Sequence, residues 1–294
     1  MNEEFYHEPV LINETLKYLL DSGSKTGYTV YVDCTLGGGG YTKKILEESP
    51  EAKVIAIDRD VFAIKHCKKV LEKFAGRIIF VQGNFGNIKQ IIKDAGFDKI
   101  SGIVMDLGLS SYQLSSEAGF SYQKDTSLDM RADKDQKLTA KDVLNRYDEK
   151  EIMRILYEYG ELRYGRKIAQ EIVHSRKNKK FETTFDLVGL LKNLVPARFL
   201  NSDLSKLFQA IRIEVNNELE NLKRVIEDSV DTLEIGTKIA AISYHSLEDR
   251  IVKNGFRSDD RLKVITKKPV EPGEEEITVN IRARSAKLRV AEKI

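Results

Sequence analysis

Three carboxylates and a run of glycines are the residues of this chain best placed to do chemistry. Asp33 precedes Gly37, Gly38, Gly39 and Gly40, Asp58 closes the next apolar run, and Asp106 closes a later one at Ile103-Val104-Met105. An apolar stretch from Tyr28 to Val32 feeds Asp33, a helix-like segment follows over 41–48, and a second apolar run from Lys53 to Ile57 ends on Asp58. Glycine lets the backbone come close to a ligand because no Cβ intervenes. A carboxylate at the end of a second strand suits a ribose diol. The pattern predicts a strand, turn, helix and strand that hold a nucleoside-containing cofactor. The plainer alternative is that the glycines form only a tight turn.

The residues around the glycines bear on which cofactor. The dinucleotide fingerprint G-x-G-x-x-G/A wants a third small residue to pack helix against strand. Counted from Gly37 that position is Thr42, and from Gly38 it is Lys43, so neither fits. Asp33 would repel a pyrophosphate but suits a cationic amino group. S-adenosylmethionine carries a ribose, an ammonium and a sulfonium and no phosphate, and it is preferred here over a nicotinamide cofactor.

Stepping outward, 294 residues suffice for one large domain or two smaller ones. No run of about 18 apolar residues is present, which gives no spanning helix. The N-terminal MNEEFYHEPV lacks the apolar core of a secretory signal. The two cysteines, Cys34 and Cys67, form neither a disulfide framework nor a metal-ligand spacing, and a cytoplasmic location is expected. Net charge is only +2, but basic residues cluster over 163–180 and over 282–289. Such clusters meet phosphates. The alternatives are a solvated helix face and an edge strand protected by charge.

Strands are expected at 28–33, 53–58, 77–82 and 100–106, and helices at 9–20, 41–48, 60–73 and 87–95. Nearly all-apolar strands imply burial on both faces and hence a parallel sheet. Right-handed crossovers then collect ligands at the strands' carboxyl ends, where Gly37, Asp58, Asn84-Phe85 and Asp106 all fall. From 139 to 207 only helix signals appear, at 140–146, 149–159, 163–175 and 184–194, followed by helices at about 204–217 and 219–232 and a returning strand at 237–244. The reading is an α/β fold, a Rossmann-like sheet over 1–111 and 211–294, with an all-helical insertion over 112–210.

Two further blocks stand out. In Phe208 to Leu219, Arg212 and Asn216 lie four apart on one helix face and can reach a substrate. In Ser243 to Lys253, Ser246 and Asp249 read as a helix N-cap, and His245 is either a proton shuttle or a structural histidine. Methylation at carbon 5 of a pyrimidine needs a cysteine thiolate at the site, and neither cysteine is near the fourth strand. Attack by a substrate nitrogen or oxygen needs none. Asp106, Ser110 and backbone carbonyls offer acceptors for an amine nucleophile there, although Asp106 could equally cap a strand or bind the cofactor.

Taken together, these blocks resemble the bacterial small-subunit ribosomal RNA cytosine-N4 methyltransferases, the MraW or RsmH family. The resemblance runs nearly end to end, through His7-x-Pro9-Val10-Leu11, Asp33-x-Thr35-x-Gly37-x-Gly39-Gly40, Ala56-Ile57-Asp58-Arg59-Asp60, Asp106-Leu107-Gly108-x-Ser110-Ser111-x-Gln113, Gly119-Phe120-Ser121, Leu128-Asp129-Met130-Arg131, Phe208-Gln209-Ala210-x-Arg212-Ile213-x-Val215-Asn216, His245 to Lys253 and Arg282-Ala283-Arg284-Ser285. It implies a class I S-adenosylmethionine-dependent enzyme acting on the exocyclic amine of one cytidine in the decoding region of 16S ribosomal RNA. It implies cofactor contacts at Gly39, Gly40, Tyr41, Asp58, Phe85, Asp106 and Gln113; the placement of the residues themselves adds Asp33 and Gly37 to the cofactor site and makes Asp106 and Ser110 the candidate catalytic residues. RNA contacts are expected at Arg131, Arg212, Asn216, His245, Arg250, Arg282 and Arg284, with Tyr112 or Phe120 against the exposed base. The expected partner is the small ribosomal subunit or its RNA, with no metal, membrane or DNA, and a homodimer is left open. Tyr41 stands where the family usually has histidine, Tyr112 where proline is common, and Ile281 where proline is usual. A small-molecule methyltransferase or a non-catalytic assembly factor would share the fold.

Overall fold

The computed structural model describes residues 9–21, 29–109 and 118–294. The chain divides into two compact units, one of residues 1–110 with 219–294 and one of 111–218.

The first unit is built on a seven-stranded sheet. Its strands are β1 (Val30–Asp33), β2 (Lys53–Asp58), β3 (Ile78–Gln82), β4 (Ile100–Asp106), β5 (Leu233–Ser243), β6 (Leu262–Val264) and β7 (Lys287–Lys293), in the spatial order β3-β2-β1-β4-β5-β7-β6. The first five run parallel, and β7 lies antiparallel to both β5 and β6. All four residues of β1 are buried, as parallel strands covered on both faces require. Alternation sorts them: Tyr31 packs with α1 (Ile12–Leu19), α2 (Gly40–Glu48) and α3 (Val61–Val70) on one face. Val30 and Val32 pack with α4 (Ile88–Asp94), α10 (Glu218–Thr232) and α11 (Ser246–Ser258) on the other. The order reverses at β1/β4, so the crevice beyond the carboxyl ends of β1, β2 and β4 is the ligand position of this topology.

The second unit is helical: α5 (Ala140–Arg146), α6 (Glu149–Glu158), α7 (Gly165–Ser175), α8 (Thr184–Leu194) and α9 (Ala197–Asn216). Thr139 and Asp148 close capping boxes with Asp142 and Glu151, which fixes the starts of α5 and α6 as their sequences suggest. Among the boundaries that differ from expectation, β5 starts at Leu233 rather than 237. α9 starts at Ala197, not near 204, because Pro196 sits at its N-cap and the helix continues unbroken through Asn201-Ser202-Asp203, with Asp203 and Leu204 already buried. It runs to Asn216, where Asn217 turns left-handed at φ 50°. The basic stretch at 282–289, for which a charged edge strand is the alternative reading, contains a short helical turn (Ile281–Ser285) leading into β7, which is interior to the sheet. No described helix is long and apolar enough to cross a membrane.

Candidate active site

The carboxyl edge of the parallel strands brings Asp33, Asp58 and Asp106 together. Asp33, fully buried at the end of β1, accepts the Thr42 hydroxyl at 2.7 Å on Oδ2 and the Thr35 amide at 3.1 Å on Oδ1. Asp58, at the end of β2, accepts the Gly37 amide on Oδ2 and the Asp60 amide on Oδ1, both at 2.8 Å. Asp106, at the end of β4, accepts the Tyr244 hydroxyl on Oδ1 at 2.7 Å, and its own amide donates to Thr35 Oγ1 at 2.7 Å. Thr35 therefore ties the end of β1 to the end of β4.

Every donor to these carboxylates among the described residues is neutral. Burial raises Asp33 and Asp58 from 3.8 to about 6, and raises Asp106 to about 7, against the lowering effect of the hydrogen bonds. Repulsion from Asp33 adds to the rise at both Asp58 and Asp106, and Glu248 adds to it at Asp106. No lysine or arginine pairs with the three among the described residues. A site of this kind lacks a positive charge.

The glycine turn shows why it is made of glycine. Gly37 and Gly39 take φ of +50° and +82°, and Gly39 is the N-cap of α2. A Cβ on Gly39 would meet Cys67 Sγ and Leu71 Cδ1 at 3.0 Å, and one on Gly40 would lie 2.2 Å from Pro9 Cγ. A Cβ on Gly37 would meet only the Thr35 carbonyl, at 3.7 Å. Gly39 and Gly40 are thus hemmed in by protein, whereas Gly37 is less crowded among the described residues. S-adenosylmethionine fits these acceptors: its ammonium and sulfonium supply the missing charge, its ribose hydroxyls suit Asp58, and Gly37 is uncrowded among the described residues.

The other expected residues fall in several places. Phe85, half-buried, opens the turn after β3, where Asn84 caps the Gly86 amide at 2.9 Å. The Tyr41 side chain is buried, donating its hydroxyl to the Val10 carbonyl, so only its backbone faces the turn. Ser110, Gln113 and Tyr112 lie outside the described residues, as does His7. Arg250, Arg282 and Arg284 are exposed in the first unit. His245 is the N-cap of α11 in place of Ser246: its Nδ1 accepts the Glu248 amide at 3.4 Å. Its Nε2 lies 3.1 Å from Glu248 Oε1 yet is out of hydrogen-bond alignment with it.

Within the helical unit, three residues expected at RNA have their polar groups engaged. Arg131 pairs with Asp129 at 2.7 Å and donates to the carbonyls of Lys134 and Gln136. Arg212 makes a two-pronged pair with Glu218 at 2.9 Å. Asn216, 2 % exposed, accepts the Ala132 amide and donates to the Met130 and Arg212 carbonyls. Phe120 is buried as well. In the basic run of this unit, Arg176 donates to the Leu144 and Tyr147 carbonyls, whereas Arg163, Arg166, Lys167, Lys177 and Lys180 are exposed.

Sequence reasoning singled out neither Thr35, Thr42 nor Tyr244 as a site residue. A signal existed for each threonine. Thr42 occupies the position where a dinucleotide site needs a small residue, and here it holds Asp33. Tyr244 follows β5, whose Ile242 pairs with Asp106. The neighbouring strand was legible, but the reach of the phenol across it was not.

Residues 4–294 match the model of the MraW methylase family. The chain belongs to the MraW methylase family. It is 46% identical to a ribosomal RNA small subunit methyltransferase H of Carboxydothermus hydrogenoformans, covering 99% of each chain. It is 45% identical to one of Clostridium botulinum, over 99% of this chain and 100% of that one, and 45% identical to one of Persephonella marina, over 98% and 99%. The seven-stranded mixed sheet is the class I methyltransferase sheet, and the methyl donor of this methylase family is S-adenosylmethionine.

Proposed function

We propose that the protein transfers a methyl group from S-adenosylmethionine to the N4 amine of a cytidine in the decoding region of 16S ribosomal RNA, acting in the cytoplasm on the small subunit or its RNA. The observation that carries this reading is the edge of three carboxylates that, among the described residues, have no cation partner, one of which has an oxygen to spare. Asp106 Oδ1 is taken by Tyr244, while Oδ2 accepts no hydrogen bond among the described residues.

When bound, S-adenosylmethionine supplies an electrophilic methyl group. The protein's own groups do the rest. Asp33 and Asp58 balance positive charge and orient hydroxyls, and the glycine turn shapes the floor. The cytosine amine is a weak nucleophile because its lone pair is delocalised into the ring. Asp106 Oδ2 accepts an N4 hydrogen, which localises that lone pair, and takes the proton once the nitrogen has become acidic by methylation. The base must leave its stack to reach the edge. Arg250, Arg282, Arg284 and the exposed cations of α7 engage phosphates, which position RNA without reading its sequence.

The test is to incubate small subunits lacking the modification with labelled S-adenosylmethionine and locate the label by mass mapping. One methyl on one cytidine N4 supports the reading, and label on carbon 5 or on no RNA nucleotide defeats it. Arg282→Glu with Arg284→Glu separates the small-molecule alternative: subunit methylation should fall while donor binding persists.

A further inference from the structure

We infer that Tyr244 is a positioning residue for the methyl transfer: its phenol fixes the Asp106 carboxylate so that Oδ2 faces the incoming amine. The inference rests on the reading of Asp106 as the amine's acceptor. The geometry is built from three segments. Tyr244 follows β5 and donates to Asp106 Oδ1 at 2.7 Å. Its amide is held by Glu248 Oε2 at 2.9 Å, which anchors the residue from α11. Gly108, at φ +128°, leaves room for the ring, because a Cβ there would stand 3.0 Å from Tyr244 Cδ2.

A carboxylate at a strand end with no cation partner can rotate between equivalent poses. A hydrogen bond to one oxygen selects one pose, and one made to the charged form favours that form. The phenol does both and stays protonated: burial and the adjacent Asp106 push its own ionisation far above the ordinary tyrosine range. The charged and titratable groups facing the pair are Asp33 from β1, Glu248 from α11 and Tyr41 from α2. All are acids, so nothing but the phenol, among the described residues, opposes protonation of Asp106 through its side chain.

The experiment compares wild type with Tyr244→Phe on small subunits, over a range of pH. The expected result is a kcat about 10- to 100-fold lower, as for loss of a hydrogen bond to a charged group. KM for the donor should change little, and the acid limb of the kcat/KM profile should move about one pH unit upward. In an Asp106→Asn background, Tyr244→Phe should cost nothing more, since it acts through Asp106. An unmoved acid limb, or an equal further loss in the Asp106→Asn background, overturns the inference. A carbon-13 NMR titration of the Asp106 carboxyl gives a readout independent of turnover: it should titrate higher in Tyr244→Phe, and an identical titration also overturns it. If Tyr244→Phe melts early, the same carbon-13 titration is run on it below its melting temperature, and the same upward shift is expected. Full transfer by Asp106→Asn would instead sink the parent reading of Asp106 and leave the NMR result to judge the pairing.

Discussion

Aspartates in the two units have opposite surroundings. In the helical unit Asp129 holds Arg131 at 2.7 Å and Lys134 at 2.9 Å, and those donors pull its carboxyl down to about 2 despite partial burial. On the sheet edge Asp33, Asp58 and Asp106 sit among neutral donors and each other, and burial lifts them to about 6 or 7. An acid with a structural task is given a base by its own chain. The edge acids are left at a cost in ionisation, which a cationic ligand removes. That contrast is the ground for proposing the edge carboxylates as the functional ones.

The sharpest way to break the contrast is Asp106→Asn. Transfer at saturating donor should fall by about 10²–10⁴-fold, the range for loss of a general base, while the melting temperature holds or rises. Subunit methylation assays with differential scanning calorimetry check both. Next, Asp33→Asn and Asp58→Asn should each weaken S-adenosylmethionine binding by about 10- to 100-fold in a calorimetric titration. Asp129→Ala should do the converse. It should lose about 1–2 kcal/mol of stability in urea unfolding, since the pair is only partly shielded from solvent, and leave donor affinity unchanged.

The pH dependence separates the two classes by sign. The edge acids have folded values above the ordinary 3.8. Between about pH 4 and 7 the folded chain holds protons that the unfolded chain has released, so their contribution to stability falls as pH rises through that window. Asp129, at about 2, contributes stability that is complete above about pH 4 and is lost as pH falls toward 2. The difference in melting temperature between Asp106→Asn and wild type should therefore grow in the variant's favour from pH 5 to pH 8. The smallest effect is expected for Thr42→Val, which removes the 2.7 Å donor to Asp33 and should weaken donor binding several-fold.

Much of this was legible in the sequence. Near-continuous apolar runs ending in Asp33, Asp58 and Asp106 marked the parallel strands and their functional ends, because burial on both faces leaves only strand ends for polar chemistry. Capping pairs such as Asp148 with Glu151 marked helix starts. What stayed hidden depends on partners far along the chain. Arg212 four residues from Asn216 looked like a substrate grip, but the Met130 carbonyl, the Ala132 amide and Glu218 engage them. Arg289 looked like part of a basic patch, yet it is buried against Asp249 at 2.5 Å in a strand that the charge pattern disguised. Residue type gave no hint of the reach of Tyr244 to Asp106 either.

If burial holds the three edge carboxylates partly protonated, a cationic donor must displace protons as it binds. Calorimetric titration of S-adenosylmethionine at pH 6.5, repeated in buffers of different ionisation enthalpy, measures the protons exchanged on binding. Net proton release that disappears by pH 8.5 and shrinks in Asp106→Asn is the predicted result. Binding with no proton release at pH 6.5 would contradict it.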